Sequence, residues 1–103
     1  MKGRNEIREV YNKGKRTGCQ GAKLFVLKND LDRNRICFSL SRNFGSAVER
    51  NRAKRLGREA YRNLRPLLRQ GHDLILLVYP GDSGFRERAG QLEHLCARAG
   101  LLK

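Results

Sequence analysis

Acidic residues are scarce in this 103-residue sequence, which has ten Asp and Glu against 23 Lys and Arg and a formal net charge of +13. The few acids are also scattered, whereas a two-metal nuclease gathers several carboxylates around metal ions about 4 Å apart. Asp30 and Asp32 lie near each other, but the surrounding residues 29–34 are typical of a turn. We therefore expect no catalytic residue and no metal site in the polypeptide itself.

Long hydrophobic runs are missing too. No stretch approaches the roughly 20 apolar residues of a membrane-spanning helix, and no basic N-terminal segment leads into an apolar one. We expect neither a membrane-spanning helix nor a secretory signal. The cysteines, Cys19, Cys37 and Cys96, are odd in number and far apart, which argues against a disulfide framework and favours a cytoplasmic location.

Patterns of metal ligands and phosphate-binding loops are equally absent. His94 and Cys96 lie close together, but no second pair stands at the spacing of a zinc site. No glycine-rich loop of the Walker type precedes a helix. We expect Cys96 to be a buried apolar position, His94 to lie on the polar side of the same helix, and His72 to be exposed in a turn.

The sequence does contain enough apolar residues, 39%, for one small core. Their spacing predicts a single α+β domain over residues 1–103, with helices packed on one sheet. We expect strands 24–27 and 36–41 to pair as a β-hairpin, and a crossover helix to connect 36–41 to 73–79. The predicted elements are a helix over 5–13, a loop or weak edge strand over 15–21, strands over 24–27, 36–41 and 73–79, a helix from 47 that ends or kinks at 65, and a helix over 85–99.

The long helix carries the most informative pattern. Ser46 and Glu49 have the spacing of a capping box, which predicts where the helix begins. Its apolar positions share one arc, and most of its basic positions share the opposite arc. The apolar positions are Ala53, Leu56, Ala60, Tyr61 and Leu64; the basic ones are Arg50, Arg52, Lys54, Arg55, Arg58, Arg62 and Arg65.

This arrangement favours a surface that binds a polyanion over a merely solvated helix face. Like charges repeat at i, i+4, and several cations lie in the first turns, where the helix dipole disfavours them. With the net charge of +13, the pattern indicates nucleic acid rather than an acidic protein or a membrane surface. Composition does not separate RNA from DNA, although a preceding strand argues against a helix-turn-helix.

The segment 39–62 closely resembles the signature of the bacterial ribonuclease P protein component. It has a strand ending in Ser-Leu-Ser-Arg, then a glycine, Ser-Ala-Val, an Arg-Asn-Arg core at 50–52, Lys-Arg and a further Arg. Weaker similarity covers 10–14, 24–27 and 73–80. This family resemblance implies an α/β sandwich in the order αβββαβα. It also implies a protein that binds a catalytic RNA and assists removal of the 5′ leader from precursor tRNA.

The same resemblance assigns residues to two surfaces. It implies a surface for the catalytic RNA and a separate leader cleft between the first helix and the sheet. It further implies that the RNA supplies the active site and, with the substrate, holds Mg²⁺, and it suggests no obligate protein partner. The residues for the catalytic RNA are Ser41, Arg42, Arg50, Asn51, Arg52, Lys54, Arg55, Arg58 and Arg62; those for the leader are Tyr11, Phe25 and Lys28.

Some alternatives stay open at this point. A structural RNA-binding protein of ribosomal type, with no part in catalysis, has the same size, charge and architecture. Tyr11 could stack on a base or simply face the core, and Ile7 stands where the family often has a second aromatic residue. Gly57 lies inside the long helix, where glycine costs about 1 kcal/mol relative to alanine, and the sequence offers no reason for it.

Overall fold

Three helices and four strands follow one another in the order αβββαβα. The computed structural model describes residues 4–81 and 84–103. The elements are α1 (Arg4–Lys13), β1 (Lys15–Cys19), β2 (Ala22–Lys28), β3 (Arg35–Leu40), α2 (Ala47–Leu64), β4 (His72–Val78) and α3 (Phe85–Arg98). Each element predicted from the sequence is present, and the segment 15–21 supplies an edge strand rather than a loop.

The strand order in the sheet is β1-β2-β4-β3, which differs from the sequence prediction at one point. The predicted hairpin of β2 and β3 is wrong, because β4 lies between them and pairs with both. Its segment 73–78 is almost entirely apolar, so an inner position covered on both faces suits it better than an edge. The hairpin partner of β2 is instead the more polar β1. The predicted crossover is confirmed, since β3 and β4 are parallel and joined through α2.

Both faces of the sheet are covered, but unequally. The larger core lies between the sheet and helices α2 and α3, and it takes the alternate positions Leu24, Leu74 and Leu76 of the inner strands. On the opposite side, which we call the α1 face, helix α1 contributes Val10 to a smaller cluster with Phe25 and Ile75. The sheet therefore separates the basic helix α2 from the face that carries α1.

The structure also places Cys96, His94 and His72, for which the sequence predicts different environments. Cys96 is fully buried, and burial raises the pKa of its thiol to about 12, so it behaves as an apolar core residue. His94 is exposed on the same helix, as expected. The prediction for His72 is wrong, because this residue begins β4 and is half-buried opposite Lys28.

Local sequence sets both ends of α2. The Ser46 hydroxyl accepts a hydrogen bond from the Glu49 backbone N–H at 3.2 Å, and the Ser46 N–H donates to the Glu49 carboxylate at 3.3 Å. This confirms the predicted capping box. At the other end, Pro66 lies in a short 3₁₀ turn over Arg65–Leu67, so the α-helix stops at Leu64.

Gly57 lies where α2 packs against Phe38 of β3. A Cβ atom at this position would lie 2.7 Å from Cδ1 of the Phe38 ring on β3, closer than real Cβ atoms come to a neighbour. The glycine therefore makes room for the aromatic ring, which explains a residue that the sequence alone leaves unexplained.

We expect Gly57→Ala to lower the free energy of unfolding by about 1 kcal/mol, because the overlap with Phe38 outweighs the better helix propensity of alanine. Urea unfolding of the variant measures the change. Gly90→Ala is the matched control: it also lies inside a helix, nothing lies within 4 Å of its added Cβ, and it should stabilise the protein. A stabilising Gly57→Ala would contradict this packing.

Candidate nucleic-acid interface

The exposed side of α2 is almost uniformly basic. Ala53, Gly57, Ala60 and Leu64 are buried against the sheet and α3. The opposite side, which we call the α2 basic face, is exposed or half-exposed along the whole helix. Its members are Asn51, Lys54, Arg55, Arg58, Arg62 and, directly after the last residue of the helix, Arg65. At 1.5 Å per residue these side chains cover about 20 Å of helix, enough to reach several phosphates.

Two arginines lie at opposite edges of the α2 basic face. Arg50 is half-buried on the edge nearest β3, and its Nη1 lies 3.5 Å from the backbone carbonyl of Ser41. Arg42 is exposed beside it. Arg52 lines a cavity toward α3 on the other edge. The structure thus brings all nine predicted RNA-facing residues onto one continuous side of the molecule.

The two acids of α2 are both engaged by neighbouring groups. Glu49 caps the helix through Ser46, and Glu59 forms an ion pair with Arg62. Neither leaves a free carboxylate at the centre of the α2 basic face. The face therefore presents a strongly positive surface, and an anionic polymer is the partner that complements it.

The residues predicted for a second site lie on the α1 face, with one exception. Tyr11 is half-buried, and its ring meets that of Phe25 edge to face, with centroids 4.7 Å apart. Phe25 is only 5% exposed, so it acts at this face by supporting Tyr11. Lys28 is exposed at the end of β2, where strand alternation turns it to the side of Val26, away from Phe25. The structure therefore does not bring Lys28 together with the aromatic pair.

Strand pairing adds residues that sequence reasoning missed. Arg16 lies opposite Phe25, while Lys23 and Ser39 both pair with Leu77. Residues that pair across strands share a face, so these polar side chains lie on the α1 face beside the aromatic pair. Placing Lys23 and Ser39 in one row requires the strand order and the pairing register, in which β4 lies between β2 and β3. Neither can be read from the sequence pattern.

A partly buried ion-pair network links α1 to the sheet. Arg35 donates to both carboxylate oxygens of Asp73, at 2.8 and 2.7 Å, and lies 2.6 Å from a carboxylate oxygen of Glu6 on α1. Asn29 donates a further hydrogen bond to Asp73 at 2.9 Å. Burial opposes ionisation of Asp73, but the hydrogen bonds from Arg35 and Asn29 outweigh it and hold the pKa of this carboxyl below its ordinary value of 3.8.

We expect Asp73→Asn to destabilise the protein by about 2 kcal/mol at pH 7, since it removes charged hydrogen bonds at a buried site. A carboxyl whose pKa is lowered by folding stabilises the protein above its unfolded pKa, and this contribution is lost as the pH falls through the folded pKa. The difference between wild type and variant should therefore shrink below about pH 4. Urea unfolding at several pH values tests this, with the exposed Asp30→Asn as control. A pH-independent difference would contradict it.

A sheet with a basic helix on one side and an aromatic-bearing polar face on the other is typical of a protein that binds nucleic acid. The chain belongs to the ribonuclease P protein family, whose family model, described as Ribonuclease P, matches residues 1–100. It is 41% identical over 99 residues to the ribonuclease P protein component of Natranaerobius thermophilus, covering 95% of this chain and 80% of that protein. It is 38% identical over 106 residues to the ribonuclease P protein component of Symbiobacterium thermophilum, covering 100% of this chain and 92% of that protein.

Solved structures show the same fold. The RNase P protein from Staphylococcus aureus superposes with a TM-score of 0.89 at 24% identity, covering 100% of this chain and 96% of that one. The RNase P protein from Thermotoga maritima gives a TM-score of 0.82 at 24% identity, with 92% of each chain covered. Family membership makes this chain a protein component of ribonuclease P, a ribonucleoprotein endoribonuclease of tRNA processing. Within residues 4–81 and 84–103, no helix combines the length and hydropathy needed to cross a membrane.

Proposed function

We propose that the chain binds two RNA segments at once, on opposite sides of its sheet. The α2 basic face, with Ser41, Arg42, Arg50 and Arg52 at its edges, binds the catalytic RNA of ribonuclease P. The α1 face binds the 5′ leader of precursor tRNA. The observation that carries this proposal is the sheet itself, which separates the basic helix from the aromatic pair, so neither site blocks the other.

The two surfaces suit different RNA features. Arginines grip phosphates bidentately, so the α2 basic face suits the backbone of a folded RNA. A half-exposed tyrosine beside Arg16 and Lys23 suits a single strand, whose bases stack on an aromatic ring while cations follow the backbone. A leader is single-stranded, and the α1 face therefore matches it better than it matches a duplex. Lys28 lies outside this group, and a role for it in leader binding would require the strand to pass the end of β2.

The chemistry of cleavage is assigned to the RNA. Within the described parts of the chain, no three His, Cys, Asp or Glu side chains come together as metal ligands. These described side chains are therefore not grouped as a magnesium site requires, and we propose that the catalytic RNA and its substrate hold the Mg²⁺. The protein contributes by holding the leader and by neutralising phosphates, which lowers the Mg²⁺ concentration at which the complex is active. A cytoplasmic location is part of this proposal.

Cleavage of precursor tRNA at low Mg²⁺ tests the function. The catalytic RNA is assayed alone, the protein alone, and the two together. We expect accurate removal of the 5′ leader only when both are present. Leader removal by the protein alone would overturn the assignment of chemistry to the RNA. Tight, salt-dependent RNA binding with no effect on cleavage would overturn leader binding and leave a purely structural role.

A further inference from the structure

A cavity of about 260 Å³ lies between the first half of α2 and the start of α3. Arg52 of α2 and Arg88 of α3 both line it, together with Glu49 and Gly81. Arg52 is also one edge of the α2 basic face. The cavity therefore opens beside the surface proposed for RNA. Its second arginine, Arg88, lies on α3, which carries none of the residues proposed to face the RNA.

Arg88 is unusual among the arginines of this chain because it is buried, with only 2% of the residue exposed. Its Nη1 donates to the side-chain oxygen of Gln91 at 2.7 Å. Its Nε is buried and has no hydrogen-bond partner among the described residues. Within the same residues, none of the ion pairs closer than 4 Å involves Arg88.

A buried guanidinium with an unused donor is an unfavourable choice for packing alone. An aliphatic side chain would fill this part of α3 without the desolvation of a charge. Burial also lowers the pKa of Arg88 below its usual value, because the guanidinium loses hydration there. The unused donor and the adjoining cavity together indicate an anionic ligand. Such a ligand would supply the hydrogen-bond acceptor and the negative charge that the described residues do not provide.

We propose that this cavity binds a phosphate group, held by Arg88 from the interior and by Arg52 from the rim. Guanidinium groups match phosphate oxygens in geometry and keep their charge at neutral pH. Glu49 also lines the cavity, and its carboxylate accepts hydrogen bonds from the Ser46 N–H and hydroxyl. It keeps its charge, so the two arginines leave the described lining with an excess of one positive charge. The phosphate belongs either to the backbone of an RNA bound on α2 or to a free anion, which the same chemistry would hold.

Thermal unfolding of the protein in inorganic phosphate tests the site directly. At constant ionic strength set with chloride, phosphate should raise the Tm of the wild type saturably, since a ligand of the folded state stabilises it. Arg88→Met should abolish this rise. The matched control is Arg86→Met, which removes an exposed arginine from the same helix and should keep it. An equal response of Arg88→Met and wild type, or no response in the wild type, overturns the proposal.

A second pair of variants keeps the test valid if Arg88→Met does not fold. A Cβ atom on Gly81 would meet nothing within 4 Å, so a side chain can be added at the cavity. The carboxylate of Gly81→Asp should occupy the phosphate position, which raises the Tm in chloride and removes the response to phosphate. The neutral Gly81→Asn should show neither the higher Tm nor the full loss of response. A full phosphate response in Gly81→Asp overturns the proposal.

A measurement of catalytic-RNA binding distinguishes an RNA phosphate from a free anion as the occupant of the cavity. Of these experiments, only this one rests on the proposed function. If an RNA phosphate occupies the cavity, Arg88→Met should lower the log–log salt slope of binding by about 0.7–0.9, the value of one contact. An unchanged slope with a lost phosphate response assigns the cavity to a free anion. If RNA does not bind the wild type, the proposed function fails while the phosphate experiment still decides the site.

Discussion

Replacing Arg50 and Arg52 together by alanine is expected to weaken binding of the catalytic RNA by at least about 100-fold. Hydrogen bonds between charged partners contribute about 1.5–3 kcal/mol each, and each 1.4 kcal/mol is a factor of about ten in affinity. The two residues lie at opposite edges of the α2 basic face, so their loss removes contacts on both sides of it. Filter binding of the RNA at several salt concentrations measures the effect.

The salt dependence distinguishes lost phosphate contacts from a general loss of charge. Two lost contacts should reduce the log–log slope by about 1.4–1.8, because each contributes about 0.7–0.9. Arg33→Ala combined with Arg86→Ala is the matched control, since it removes the same charge from exposed residues on a loop and on α3. Unchanged affinity and slope in the Arg50 and Arg52 variant would show that the catalytic RNA does not bind on α2.

Tyr11→Ala should raise the KM for precursor tRNA carrying a leader by roughly 5- to 150-fold. Stacking of one base on an aromatic ring contributes about 1–3 kcal/mol, and the variant removes the only half-exposed ring that α1 holds over Phe25. Affinity for mature tRNA, which lacks the leader, should not change. Cleavage kinetics with the precursor and competition by mature tRNA measure the two quantities.

Tyr11→Phe provides the control for this variant, because it keeps the ring that stacks and packs on Phe25. It should retain most of the affinity for the leader. The edge-to-face pair contributes about 0.5–1.5 kcal/mol to stability, so the unfolding of Tyr11→Ala must also be measured. An equal loss of affinity for precursor and mature tRNA would indicate a folding defect and contradict a leader site at Tyr11.

Much of the candidate interface follows from local pattern. The capping box and the helical arcs already divide α2 into a buried side and a basic side, and the structure confirms this division. Helix faces are predictable because neighbours at i+3 and i+4 come from the same segment. The α1 face is different: its polar row joins Lys23 and Ser39 across an intervening strand, and only the sheet order places them together.

Gly57 and Arg88 are two buried residues whose environments the local sequence pattern does not predict. Within α2, Gly57 is a residue of low helix propensity. It is explained by the Phe38 ring of β3, which leaves no room for a Cβ atom. In the pattern of α3, Arg88 looks like any exposed arginine, yet it is buried beside a cavity. The environment of each residue is set by a segment that is distant in the sequence. The local hydrophobic pattern therefore does not predict it.

The order of helices and strands, the basic side of α2 and the resemblance to a family could all be predicted from the amino-acid sequence. These properties depend on residues close together along the chain, where hydrogen-bonding patterns and hydrophobic periods act locally. The fold was needed to show that β4 separates β2 from β3 and that Arg35 and Asp73 link α1 to the sheet. It was also needed to show that Arg88 is buried and lines the same cavity as Arg52. The physical reason is that strand pairing and burial are settled by competition among distant segments for one core.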